Sequence, residues 1–78
     1  MRPRARKVKP LDDYTLLITF TNNESKVFDV KPYLDQKPFQ ELKAKGKFET
    51  VHIAGLSIEW FNGADICPDE LYDDSVPV

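Results

Sequence analysis

The alternation in Tyr14-Thr15-Leu16-Leu17-Ile18-Thr19-Phe20 constrains this chain most. A period of two sets Tyr14, Leu16, Ile18 and Phe20 on one face of a strand, where a helix would scatter them. The returning stretch Ser25-Lys26-Val27-Phe28-Asp29-Val30 brings Phe28 and Val30 together. Pairing parity then tests the turn. A two-residue Asn22-Asn23 loop would set Leu16 opposite Asp29 and Ile18 opposite Val27, whereas a three-residue Thr21-Asn22-Asn23 loop sets Leu16 opposite Phe28 and Tyr14 opposite Val30. The second gives one consistent apolar face. It requires Asn23 to adopt a left-handed conformation beside a bulge, which asparagine tolerates better than most residues other than glycine.

After Pro32 the period changes. Pro38-Phe39-Gln40-Glu41-Leu42-Lys43-Ala44 has proline at a helix-opening position, apolar residues at i and i+3, and Gly46 placed to stop a short helix. Phe39 and Leu42 would face the sheet, with Phe48 closing the same patch. A second hairpin is expected around Ala54-Gly55, with Ile53 opposite Leu56, Val51 opposite Ile58 and Trp60 extending that face; His52, Ser57 and Glu59 would share the other. Cys67-Pro68-Asp69-Glu70-Leu71-Tyr72 reads as a helix start, its proline and acids suiting the first turn. The expected fold is α+β: a small antiparallel sheet of two β-hairpins, with an N-terminal strand from Arg4 to Lys9 as a further member, and one or two short helices on its apolar face.

With no repeat or linker, the 78 residues read as a single domain, 1–78. A chain of that size buries only about 60% of the surface its unfolded form exposes. Five Phe, three Tyr and one Trp can fill such a core without metal or disulfide. The lone Cys67 cannot staple the fold, which fits a reducing cytoplasm. No apolar segment follows the basic start to make a signal peptide, and Leu16-Leu17-Ile18 is too short to span a bilayer, so no membrane association is expected.

The net charge of −2 conceals an asymmetry: the first ten residues carry five bases and no acid, whereas residues 65–78 carry five acids and no base. The basic arm, about residues 1–7, reads either as a phosphate-binding element or as a charged edge strand that discourages sheet aggregation. The acidic tail, about residues 73–78, reads as a frayed terminus.

Residues able to carry chemistry are sparse. His52, Cys67, Asp65 and Asp69 lack a recognised ligand spacing, so no metal is expected. Cys67 with His52 is the only thiol and imidazole pair, and nothing in the sequence orients the imidazole. Acid pairs fall in turns, helix starts and the tail, and Gly63 belongs to a turn rather than a phosphate loop. No catalytic residue, cofactor or enzymatic activity is expected. Asp29, between Phe28 and Val30, and Asp65, between Ala64 and Ile66, stand apart. Each reads as an acceptor of backbone N–H groups, so that Asp65→Ala would lower thermal stability, or as a polar mark on a partner surface.

Taken in order, Val8, Pro10-Leu11, Tyr14, Leu16, Phe20, Phe28-Asp29-Val30, Pro32, Leu34, Phe39, Leu42, Phe48, Trp60, Asn62-Gly63-Ala64-Asp65-Ile66 and Leu71-Tyr72 form a pattern that resembles the small bacterial proteins of the domain of unknown function 2442 family. Asn23 stands where a turn glycine is common in that family, Phe61 where proline is common, and the Arg-rich start is individual to this chain. The resemblance implies an α+β fold and no established activity. It further implies a cytoplasmic, non-enzymatic protein-binding module, antitoxin-like in being the companion of another small protein. Trp60, Phe61, Asn62, Asp65 and Tyr72 are the expected partner surface, with homodimer formation through a sheet edge as a further expectation. The alternative is a nucleic-acid-associated regulator using Arg2, Arg4, Arg6, Lys7 and Lys9.

Overall fold

In the computed structural model, which describes residues 2–78, the chain opens with three antiparallel strands, β1 (Ala5–Pro10), β2 (Thr15–Phe20) and β3 (Ser25–Asp29). Leu16 lies opposite Phe28 and Thr19 opposite Ser25. The Phe20 N–H donates to the Glu24 carbonyl at 2.8 Å and the Asn23 N–H to the Phe20 carbonyl at 2.9 Å, closing the three-residue loop with Asn23 at φ 71°. Tyr14 meets Val30 as parity requires, its carbonyl accepting the Val30 N–H at 3.0 Å. By then the backbone has left the strand for a 3-10 turn, Asp12–Tyr14, in which Asp13 and Tyr14 have φ of 69° and 57°. A left-handed tyrosine costs on the order of 1–3 kcal/mol. It is held by its hydroxyl, which donates to the Lys43 carbonyl, and by edge-on packing of its ring against Phe48 at 5.2 Å.

Alternation gives this sheet two unlike faces. Leu16, Ile18, Phe20 and Phe28 are buried on the inner one. Lys26 shares that face, opposite Ile18, its amine 3.6 Å from the centre of the Tyr72 ring and donating to the Tyr72 carbonyl at 3.3 Å. Val27 consequently points outward.

Between the hairpins, the segment expected as one helix forms a 3-10 turn, Phe39–Lys43, followed by a short α1 (Lys45–Phe48). Ala44, at φ −73° and ψ 120°, separates them, so Gly46 lies inside α1 rather than ending a helix. Phe39, Leu42 and Phe48 are buried as expected. The second hairpin, β4 (His52–Ala54) and β5 (Ser57–Glu59), pairs Ile53 with Ile58 and Ala54 with Ser57, two residues out from the expected register. Gly55, at φ 56°, supplies the left-handed residue that a tight Gly55-Leu56 turn needs. Two further expectations fail with that register. Ile53 and Leu56 are exposed, and Ser57, placed outward by the sequence reading, is buried and donates from Oγ to the Ile66 carbonyl at 2.7 Å.

The hairpins do not share a sheet. β4 and β5 stand as a two-stranded sheet, packed near β1, while the larger sheet runs β1-β2-β3-β6. α2 (Pro68–Asp73) starts after Cys67, as the proline predicted. The acidic tail is not frayed: its last residues form β6 (Val76–Pro77), paired with Lys26 and Val27 of β3. Two residues are too few for a hydrophobic pattern to announce a strand.

Trp60 joins the layers. It is 1% exposed, lies against Phe39 and Phe48 at centroid distances of 5.8 and 6.1 Å, and donates from Nε1 to the Phe48 carbonyl at 2.9 Å. Replacing Trp60 with Phe keeps an aromatic ring but leaves that carbonyl without its donor and a void beside it. Trp60→Phe is expected to lower stability by about 2 kcal/mol, read as a lower urea midpoint by circular dichroism. An unchanged midpoint would show that the indole N–H contributes nothing.

Candidate partner surface

The register that buries Leu16 and Phe28 also builds the opposite face. Lys9, Leu17, Val27 and Val76 pair successively across β1, β2, β3 and β6, forming one cross-strand row, and Lys7, Thr19 and Ser25 form the next. Helix α2 lies on the inner side, where the Tyr72 ring meets Phe20 edge-on at 5.0 Å. Tyr33 also lies there, 5.7 Å from Phe28. No side chain of the two outer rows is buried: Leu17, Thr19 and Val27 are half-buried, and Lys7, Lys9, Ser25 and Val76 are exposed, Val76 at 65%. Apolar residues here have one covered side and one open side. Parity could have found Leu17 and Val27, because fixing Leu16 opposite Phe28 forces that pair outward. Val76 has no such signal.

The residues expected to form a partner surface are dispersed. Trp60 is buried and cannot be one of its contacts, which corrects that expectation: an aromatic ending a strand faces the core when its strand packs on one. Phe61 is 51% exposed, with the Lys47 amine 5.9 Å from its ring centre. Asn62 has structural work: Oδ1 accepts the Ala64 N–H at 3.1 Å while Nδ2 donates to the Pro38 carbonyl at 3.1 Å and to Glu41 Oε1 at 3.3 Å. Asp65 is exposed and bridges Glu59 through the backbone, and among the described residues its carboxylate accepts no hydrogen bond. The acceptor reading thus fails for Asp65. It holds for Asp29, whose Oδ1 accepts the Lys31 N–H at 3.0 Å. Tyr72 is half-buried over Lys26, and its hydroxyl donates to Glu24. That bond first, and then one from Asn22, holds the Glu24 carboxyl below its ordinary range, and the same bond to Glu24, followed by burial, raises the Tyr72 phenol.

The basic arm is also not a free arm. Arg2 meets Asp73 at 2.9 Å and Asp69 at 3.5 Å on α2, which raises its pKa. Ala5, Arg6 and Lys7 belong to β1, with a bulge between Ala5 and Lys7. Arg4 donates its N–H to Thr21 Oγ1 at 3.2 Å, and Arg6 reaches Asn23 Oδ1 at 3.3 Å. Arg4, Arg6, Lys7 and Lys9 are exposed.

Elsewhere, Ser57, Glu59, Asp65, Ile66 and Cys67 border a shallow concavity of about 570 Å³. His52 lies 3.6 Å from Glu59. Among the described residues no group of three or more His, Cys, Asp or Glu side chains is placed to hold a metal ion, and no helix is long and apolar enough to cross a membrane. Tyr33, on the edge of a second concavity with Asp29 and Asp74, has its phenol pushed up to about 12, first by burial and then by its 2.5 Å hydrogen bond to Glu70.

Comparison with known proteins finds one family: the model described as Protein of unknown function (DUF2442) matches residues 5–77. No curated protein and no solved structure matches the chain.

The geometry separates Asn62 from Asp65. Asn62→Ala is expected to cost about 1–2 kcal/mol, whereas Asp65→Ala stays within about 0.5 kcal/mol; thermal melts of the two variants check the contrast, and equal losses would refute it. Tyr33 gives a pH dependence. Its phenol ionises near the usual 10 when unfolded and at about 12 when folded, so its contribution is complete below pH 10 and lost as pH rises toward 12. The Tyr33→Phe variant should lose stability less steeply across that window than the native chain in urea titrations, and parallel curves would show that Tyr33 is not the group responsible.

Proposed function

The chain belongs to the DUF2442 family of proteins of unknown function, and from that premise we propose that it is a cytoplasmic, non-enzymatic module that binds another small protein. An antitoxin-like companion is one form of that role. The observation that supports this reading is the outward cross-strand row Leu17, Val27 and Val76, apolar side chains of which the first two are half-buried and the third is exposed. Exposed apolar groups that lie contiguous on a rigid sheet give up water to a partner at little cost in ordering. Phe61 is a separate exposed ring and serves as an accessory contact at most.

The nucleic-acid reading retains Arg4, Arg6, Lys7 and Lys9 but loses Arg2 to its ion pairs with α2. The two readings part in one experiment. The tagged chain is purified from its host after nuclease treatment, alongside a Leu17→Lys, Val27→Lys variant whose outward positions leave the core intact. A stoichiometric protein retained by the native chain and lost by the variant is the expected result. Equal retention by both, or nucleic acid alone in an untreated sample, would overturn the proposal.

A further inference from the structure

The pairing of cations points to what kind of protein the open face accepts. The chain has eleven Lys and Arg residues. Arg2, Lys31, Lys43, Lys45 and Lys47 each have a carboxylate within 4.0 Å, and Lys26 is seated on Tyr72. Among the described residues, Arg4, Arg6, Lys7, Lys9 and Lys37 have no carboxylate partner. All but Lys37 fall on β1 or on the residue before it. Apart from Lys37, a thirteen-acid chain has thus placed carboxylates beside its other surface cations and none beside this strand.

Lys7 and Lys9 project to the outer side, as their pairing with Thr19 and Leu17 requires. Two positions apart on a strand, their Cα atoms are about 7 Å apart, within the Debye length of about 8 Å at physiological salt. They therefore present one positive field rather than two isolated charges. Leu17 lies directly beside Lys9 in the row, and Val27 beyond it. Basic flank and apolar strip thus meet at Lys9, the flank running along β1 and the strip across the strands.

Resting on the protein-partner reading above, we infer that the outer face takes an extended acidic segment of the partner, running along β1 with carboxylates two residues apart over Lys7 and Lys9, while apolar surface of the partner beyond that segment lies on Leu17 and Val27. The alternation of an extended segment matches the spacing of the two lysines, and its carboxylates supply the charge that β1 lacks. A phosphodiester backbone would satisfy the lysines but leave Leu17, Val27 and Val76 wet, and neither outer row carries an aromatic ring on which bases could stack. A second copy paired through β1 would bring the same four cations against one another.

The test uses fluorescence anisotropy with a dye-labelled peptide of alternating glutamate and valine, its lysine and valine counterpart, and a short duplex DNA. The titrated proteins are the native chain and a Lys7→Glu, Lys9→Glu variant, both shown folded by circular dichroism. Binding of the glutamate peptide alone is expected, weakened about tenfold by the charge reversal and weakened again as salt rises from about 0.01 to 0.15 M. Duplex DNA bound in preference to the peptide overturns the inference, as does a dimer in sedimentation that the same variant dissolves. Absence of peptide binding, or equal binding by both proteins, also overturns it. The variant purified from the host separates the two levels: a native partner lost with Leu17→Lys, Val27→Lys but kept with Lys7→Glu, Lys9→Glu leaves the module reading standing and removes the acidic segment.

Discussion

The register between β2 and β3 is the constraint on which the rest of the molecule depends. A three-residue loop with Asn23 left-handed sets Leu16 against Phe28 and Ile18 against Lys26, and sliding by one residue would turn every side chain of the strand to the wrong face. The core follows from that choice, since Tyr33, Tyr72 and the Phe39–Phe48–Trp60 cluster can only pack where Phe20 and Phe28 point. So does the outer surface. Leu17 and Val27 face solvent because their neighbours do not.

A small domain with a one-sided core has to close its edges by other means. At one edge β1 carries a bulge and unpaired cations, devices that discourage indiscriminate strand addition. At the other, β6 shields the middle of β3, and its position is secured by the Lys26 amine on Tyr72, the Ser75 hydroxyl on the Leu71 carbonyl, and the Tyr72 hydroxyl on Glu24. Arg2 ties the start of the chain to the same helix. Both ends therefore converge on α2, a helix whose acids read from the sequence as first-turn dipole partners and which also serves as an anchor.

Periodicity and turn parity carried the first hairpin, the N-terminal strand and the helix after Cys67, because each rests on local rules: alternation, the left-handed tolerance of Asn23, and Pro68 at a helix start. The second hairpin slipped because both registers place Ile53 and Ile58 on one face, and the φ of Gly55, which selects between them, is not visible in a pattern of apolar residues. Separation into two sheets and the two-residue β6 are tertiary outcomes with no local signal, whereas the inward Lys26 follows from the parity that sets Leu16 opposite Phe28, and only its seat on Tyr72 does not. Trp60, expected both on the apolar face of the second hairpin and on a partner surface, takes the first place, because a domain this small needs that ring inside.

Trp60 has one more consequence, which is spectroscopic. It is the only tryptophan, its indole N–H is satisfied by a backbone carbonyl, and its ring lies among Phe39 and Phe48 on the inner side of the molecule. Its emission is therefore an internal gauge of whether the layers are docked, and it stays silent toward events confined to the outer face of the sheet.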